Sequence, residues 1–330
     1  MGEFEFIDSI RRSFATIGDP AITGIGDDCA VLPLPGNPES LVVTTDMLIE
    51  GVHFLRPAIT ARELGAKSLA VNLSDIAAMG ARPVASFLSI ALPKECQGEW
   101  ARKFMDGYRE LSERHNVKLA GGDTTSSHGG VAINVTAIGR APAANLKYRS
   151  GAQPGDLIVV TAPLGSSAAG LRDILSGRFD TALATIHNNP EPQVEQGIWL
   201  GRRPEINSML DLSDGLASDL LHILKASGVG AEIDLETIPT SVSLDLALAG
   251  GEDYKLLFTV SPDAFPLLAK DYLQKFATPL YSIGRITGLR SNPQVAPPGK
   301  AGACSAETPK ILWLQNGRPV KKNWHGFTHF

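Results

Sequence analysis

Short apolar runs that stop at an aspartate beside Gly, Ser or Thr recur along this 330-residue chain. They are GIGDDCA with Asp28, VVTTDM with Asp46, VNLSDIAAMG with Asp75, LAGGDTT with Asp123, and MLDLSDG with Asp211 and Asp214. Asp27 is set aside as an incidental neighbour. Buried runs of this length pack as strands or short helices, and strand ends are where α/β folds build their sites. Carboxylates among small and hydroxyl residues suit hard divalent cations as ligands. Several such cations in one place usually accompany polyphosphate.

The runs divide into two halves. Residues 41–46 read as a buried strand ending on Asp46. Residues 60–79 read as a helix, with Thr60 and Glu63 as a capping box and Leu64, Leu69, Leu73 and Ile76 as its apolar face. A strand over 84–92, a helix over 97–115 and a strand over 131–139 follow. The stretch 141–156, rich in Ala, Gly and Pro, breaks the pattern, and the domain boundary is placed there, giving 1–145 and 146–330. The second half predicts a strand at 157–162, a helix from Ser166 to just before Gly177, a loop at 187–193 and a helix at 214–226. Further strands are predicted at 231–235, 255–260 and 280–286, and Asn316-Gly317 marks a hairpin. Both halves mix helices and strands, so the expected class is α/β or α+β. LSD occurs at 73–75 and 212–214, and GGD at 121–123 is echoed by GGED at 250–253. Coincidence is favoured over an ancient duplication.

With 43% hydrophobic and 20% charged residues, the composition is that of a globular protein. A net charge of −5 lacks the footprint of a nucleic-acid binder, and an anionic ligand would need bound cations to cancel repulsion. Cys29, Cys96 and Cys304 form no CxxC pair, which argues against a disulfide framework or a zinc site and fits a reducing compartment. The N-terminus does not read as a signal peptide, and no apolar run approaches a membrane span. A soluble cytoplasmic protein with no nucleic-acid or membrane partner is expected. There is no GxxxxGK[ST] phosphate loop, no kinase-type glycine loop with HRD or DFG, no GxSxG and no HExxH. A nucleotide enzyme built from this chain must hold phosphate chiefly through metals.

Taken singly, each acidic motif also reads as turn, strand-end or cap chemistry. Asp75 is harder to explain in that way, because it sits in an apolar helix among Leu73, Ile76, Ala77 and Ala78. Asp211 to Gly215 precedes a helix whose positive end caps through Ser213 or Asp214 and also attracts phosphate. Together the motifs favour a multi-metal site.

GIGDDCA, TTDMLIEGVHF, KSLAVNLSDIAAMGARP, GGDTT, RSGAQPGD, DLSDGLASDL, GGEDY and the aromatic C-terminus resemble the thiamine-monophosphate kinase family, nearly end to end. That family belongs to a superfamily with aminoimidazole ribonucleotide synthetase, selenophosphate synthetase and the hydrogenase-maturation dehydratase. The resemblance implies an N-terminal α/β domain whose sheet pairs with its copy in a homodimer, and a C-terminal α/β domain. It implies that ATP and thiamine monophosphate give ADP and thiamine diphosphate with Mg2+, the final step of thiamine diphosphate biosynthesis. By position, Asp28, Thr44, Thr45, Asp46, Asp75, Asp123, Asp211 and Asp214 resemble the magnesium ligands. Gly122, Asp123, Arg149 and Ser213 resemble the ATP contacts. His53, Glu252, Trp324 and Phe327 resemble the contacts to thiamine monophosphate.

An anionic phosphate acceptor needs no general base. It needs charge cancellation and in-line alignment, with Asp75 and Asp123 among the residues holding Mg2+ and Arg149 stabilising the transferred group. The alternatives are another ATP-dependent enzyme of the superfamily and a catalytically silent nucleotide-binding protein. Cys29 lies inside the GIGDDCA motif and the chain ends in THF, unlike the cysteine-dependent relatives.

Overall fold

The structure, a computed structural model, describes residues 2–289 and 309–327; Cys304 and His329 lie outside them. Two sheets organise the chain. The first holds β1 (Ala30–Pro33), β2 (Glu39–Ile49), β3 (Arg82–Leu92), β4 (Lys118–Ser126) and β5 (Ala132–Pro142), in the order β1-β2-β5-β3-β4. Its pairings are antiparallel except that of β3 with β4. The helix α1 (Glu3–Phe14) precedes this sheet, while α2 (Ala61–Ala78) and α3 (Glu99–His115) are inserted within it. Thr60 and Glu63 form the expected capping box at the start of α2.

The second sheet holds β6 (Leu157–Val160), β7 (Ile206–Asp211), β8 (Gly230–Asp234), β9 (Leu256–Val260), β10 (Tyr281–Thr287), β11 (Ile311–Gln315) and β12 (Arg318–Pro319). Their order is β12-β11-β8-β10-β6-β9-β7. Between them run α4 (Ser166–Leu175), α5 (Ala182–Asn188), α6 (Val194–Gly201), α7 (Leu216–Ser227), α8 (Leu244–Ala249) and α9 (Phe265–Phe276). The alternation of side chains along a strand splits this sheet between two cores. Ile158, Val160 and Leu257 face Leu220, Ile223 and Leu224 of α7. Val159, Leu256, Phe258 and Val260 face Leu268 and Tyr272 of α9 together with Leu69, Leu73 and Ala77 of α2.

Helix α2 is therefore shared by both halves, and 14 of its 18 residues are buried. A helix enclosed on all sides must be apolar or self-satisfied around its whole circumference, which is why its sequence shows no clean polar face. The seam between the halves is closed by glycines. A Cβ on Gly197 of α6 would lie 2.2 Å from the Ala77 carbonyl oxygen, and one on Gly80 would lie 2.8 Å from the Gly201 Cα. No described helix is long and apolar enough to cross a membrane.

Several parts of the fold depart from the expectations: β2 runs past Asp46 to Ile49, and β1, β7, α6 and α8 were not anticipated. LAGGDTT is part of a strand, β4, whose glycines give no strand signal; Gly122 sits at φ 150, where a Cβ would lie 1.7 Å from the Leu88 carbonyl oxygen. The expected loop at 187–193 begins only after α5, which covers its first two residues. The amphipathic N-terminus is the helix α1, and α9 was not anticipated. The echoed tripeptides occupy unlike backbones: Asp75 lies within α2, and Asp214 lies between β7 and α7.

Candidate metal and phosphate site

Three carboxylates from distant parts of the chain meet where the two sheets face each other. Asp28 precedes β1, Asp75 lies on α2 and Asp211 ends β7, and one oxygen of each lies within 4.8 Å of the others. Each is held by its own neighbour. Thr44 Oγ1 donates to Asp75 Oδ2 at 2.5 Å, and Ser74 Oγ donates to Asp211 Oδ2 at 2.5 Å. Arg149 donates to Asp28 Oδ1 from Nε at 3.1 Å and from Nη2 at 2.5 Å. Asp28 Oδ2 is buried and has no hydrogen-bond partner among the described residues.

The electrostatics are those of a site short of positive charge. Burial pushes Asp75 well above the usual carboxylate range, and Asp46, Asp211 and Asp28 push it further. Asp211 rises to about 8 through burial and then Asp28, against the Ser74 hydrogen bond. Burial lifts Asp46 to about 6. Burial raises Asp28 as well, although Arg149 opposes it. A divalent cation reverses this logic by favouring the ionised forms. Oxygens about 2.1 Å from Mg2+ lie at most about 4.2 Å apart, so the spread of the three donors is close to what one ion requires. The buried, unpartnered Asp28 oxygen is the atom such an ion would satisfy. Asp28, Asp75 and Asp211 therefore fit Mg2+.

Asp27 is not incidental. Its two oxygens accept the backbone N–H of Arg149, each at 3.2 Å, and burial followed by Asp28 raises it to about 7. Its signal was available in the doubled DD, but not its partner 122 residues away. Asp219 was also missed. It is buried, it accepts the N–H groups of Asp214 and Gly215 at the start of α7, and it groups with Asp214 and His222.

A cleft of about 760 Å³ opens beside the cluster and is lined by Asp46, Asp75, His53, Ser213, Asp214, Glu252 and Phe327, among others. His53 Nδ1 accepts the Ile49 N–H at 3.0 Å, which leaves Nε2 as the protonated nitrogen. The GGEDY turn is stitched to DLSDG: Glu252 N–H donates to Ser213 O at 2.7 Å and Tyr254 N–H to Leu212 O at 2.8 Å. Glu252 and Tyr254 adopt φ values of 61 and 49, a left-handed conformation that concentrates at functional sites. Phe327 N–H donates to Asp214 O at 3.0 Å, which ties the C-terminal segment to the cleft.

Other expected residues stand apart. Thr45 edges the cleft, but strand alternation turns its hydroxyl away from the Thr44 side, toward Val135 O and Thr136 Oγ1 of β5. Asp46, Val135, Leu88 and Gly122 form one transverse row across the first sheet. Three strand spacings thus separate Asp46 from Gly122, about 14 Å. Asp123 follows on the exposed edge strand β4 and does not join the buried trio. Trp324 is not on the cleft wall; its Nε1–H donates to Asp245 Oδ1 at 2.7 Å and its ring packs edge-on against Trp313.

Two domains joined over a buried carboxylate cluster define a class, and sequence comparison finds the same one. Residues 26–141 match the AIR synthase related protein N-terminal domain and residues 153–293 its C-terminal domain. Within that class the chain belongs to the thiamine-monophosphate kinase family. It is 38% identical to the thiamine-monophosphate kinase of Escherichia coli (strain K12), over all of this chain and 98% of that protein. The solved structure described as "AaThiL complexed with AMPPCP and TMP" superposes with a TM-score of 0.80 at 28% identity, over 100% of this chain and 97% of that one. Thiamine-monophosphate kinase from Stenotrophomonas maltophilia K279a superposes with a TM-score of 0.73 at 35% identity, over 96% and 98%.

Proposed function

We propose that this chain transfers the terminal phosphoryl group of ATP directly to the phosphate of thiamine monophosphate, giving thiamine diphosphate and ADP, with Mg2+. The observation that carries the reading is the buried meeting of Asp28, Asp75 and Asp211 beside a cleft formed by both domains. The full-length likeness to thiamine-monophosphate kinases supplies the substrate.

Asp28, Asp75 and Asp211 would hold Mg2+, with Asp46 and Asp214 as further ligands, Asp123 holding a separate ion at the edge strand, Thr44 offering its hydroxyl oxygen and Thr45 its backbone oxygen. Bound there, Mg2+ supplies positive charge that screens the two phosphate groups from each other. The acceptor phosphate is already an anion, so no side chain has to remove a proton from it. Arg149 stays charged, since Asp28 and Asp27 outweigh the cost of its burial. Its fork suits a phosphate, and its bonds to Asp28 Oδ1 hold it beside the cluster. Ser213 and Gly122 take ATP contacts at the two ends of the site. His53, Glu252 and Phe327 take the acceptor, with Trp324 recruited from its contact with Asp245.

We assign 1–145 as the ATP, Mg2+ and dimerisation domain and 146–330 as the second α/β domain. The homodimer forms through the first sheet. Its outer face leaves Met47 57% and Phe87 39% exposed, and β4 is exposed along its whole length. The free, buried thiols of Cys29 and Cys96 fit action in the cytoplasm.

The decisive experiment is chromatographic detection of thiamine diphosphate from thiamine monophosphate and ATP, with and without Mg2+. Product is expected only with both ATP and Mg2+. ATP binding without any product would overturn the kinase reading in favour of a silent nucleotide-binding protein.

A further inference from the structure

Lys67 of α2 is 1% exposed, in a position where a lysine is seldom found without a partner. Its Nζ donates to the His187 carbonyl oxygen at 3.1 Å and to Glu252 Oε2 at 3.0 Å. His187, buried on α5, brings Nε2 to within 3.3 Å of the same Glu252 oxygen, and its Nδ1 lies 3.0 Å from Ser167 Oγ. Burial, and then the Lys67 cation, lower the His187 imidazole to about 4, so the ring is neutral near pH 7. The tautomer protonated at Nε2 suits both contacts: it turns a positive N–H edge toward Glu252, 3.3 Å away, and accepts from Ser167.

The two contacts fall on one oxygen. Glu252 Oε1 has no hydrogen bond among the described residues, and Glu252 lines the cleft. Its backbone is fixed by the left-handed φ of 61 and by the bond from its N–H to Ser213 O. Burial alone would raise the Glu252 carboxyl; Lys67, His187 and His53 outweigh it and hold the group below its usual range. The result is a carboxylate with one oxygen clamped and the other presented to a ligand. Such a group accepts hydrogen bonds from, and attracts, a positively charged ring system.

We propose that Lys67 and His187 are positioning residues that hold Glu252 as an oriented anionic acceptor for the cationic part of the phosphate-acceptor substrate. Because Lys67 belongs to the first domain and Glu252 to the second, acceptor recognition depends on the packing of α2 between the halves. The inference rests on the reading that thiamine monophosphate occupies this cleft.

The test is steady-state kinetics of Lys67→Met, His187→Leu and His187→Gln, each checked for folding by circular dichroism and thermal melting. Lys67→Met is expected to raise KM for thiamine monophosphate at least tenfold, with kcat within about threefold and KM for ATP unchanged. His187→Leu is expected to raise the same KM about fivefold, and His187→Gln, which keeps an N–H donor, to restore most of it. A global packing defect would move both KM values together. Unchanged KM for thiamine monophosphate in folded Lys67→Met, or equal changes for both substrates, overturns the inference while leaving the kinase reading intact. Should Lys67→Met not fold, the His187 pair decides, and equal KM values for Leu and Gln overturn the inference. Failure of the wild-type protein to form thiamine diphosphate overturns the underlying reading and the inference with it.

Discussion

The junction between the domains and the outer edge of the first sheet carry the same kinds of residue in opposite environments. At the junction, burial drives Asp28, Asp75 and Asp211 toward their protonated forms, and neighbouring carboxylates push Asp75 and Asp211 further. At the edge, Gly122 and Asp123 lie on a strand exposed at every residue, and Asp123 Oδ1 merely accepts the N–H of Thr124. A carboxylate in water is stable with or without an ion. A buried trio is at ease only when a cation is present. The junction is thus built for a ligand, while the edge becomes a site only when something is laid against it. Two stations about 14 Å apart also cannot share one ion, whereas a nucleotide with its polyphosphate is long enough to reach between them.

The largest test of this contrast is Asp75→Asn. Turnover should fall on the order of 10³-fold, while the metal-free protein melts higher because a repelling charge has gone. A near-normal rate would remove Asp75 from the reaction. Arg149→Met should lower kcat by about 10²-fold and leave Asp28 without its guanidinium partner. An unchanged kcat would confine Arg149 to a structural role. Asp123→Asn should raise KM for ATP about tenfold, which is about 1.4 kcal/mol, with no change in melting temperature. A large loss of stability would show that the edge is not the loose region described.

The smallest effect is on stability against pH. The junction aspartates have folded-state values above their unfolded ones, so the native state binds more protons than the unfolded state between about pH 4 and the value of about 8 at Asp211. Without metal, the melting temperature should therefore fall as pH rises through that window. Each kcal/mol corresponds to ~2–4 °C for a protein of somewhat smaller size. Added Mg2+ should flatten the slope. A metal-free profile that rises with pH would contradict the electrostatics of the trio.

Much of this was legible in the sequence because local rules and tertiary demands agreed. Thr60 and Glu63 announced α2, and the apolar run 41–46 announced β2, although that strand runs on past Asp46 to Ile49. The family-specific motifs named residues that do converge: Asp28, Asp75 and Asp211 meet although 183 positions separate the first from the last. What stayed hidden depends on long-range partners or on glycine. β4 has weak strand propensity and exists because Gly122 fits against Leu88. Lys67 reads as an ordinary helix lysine, and only the fold buries it between His187 and Glu252, the latter 185 residues away. Thr44 and Thr45 are adjacent in sequence, yet the pleat sends their hydroxyls in opposite directions.

The glycine seam along α2 has a consequence for how this chain tolerates change. Gly197 and Gly80 touch no ligand in the proposed mechanism, yet neither has space for a single extra carbon. In a saturation-mutagenesis library scored by growth, both should look as intolerant as the carboxylates, although the damage at each would be mechanical. A map of essential positions would therefore trace a line through the molecule, with chemistry at one end and bare clearance along the rest.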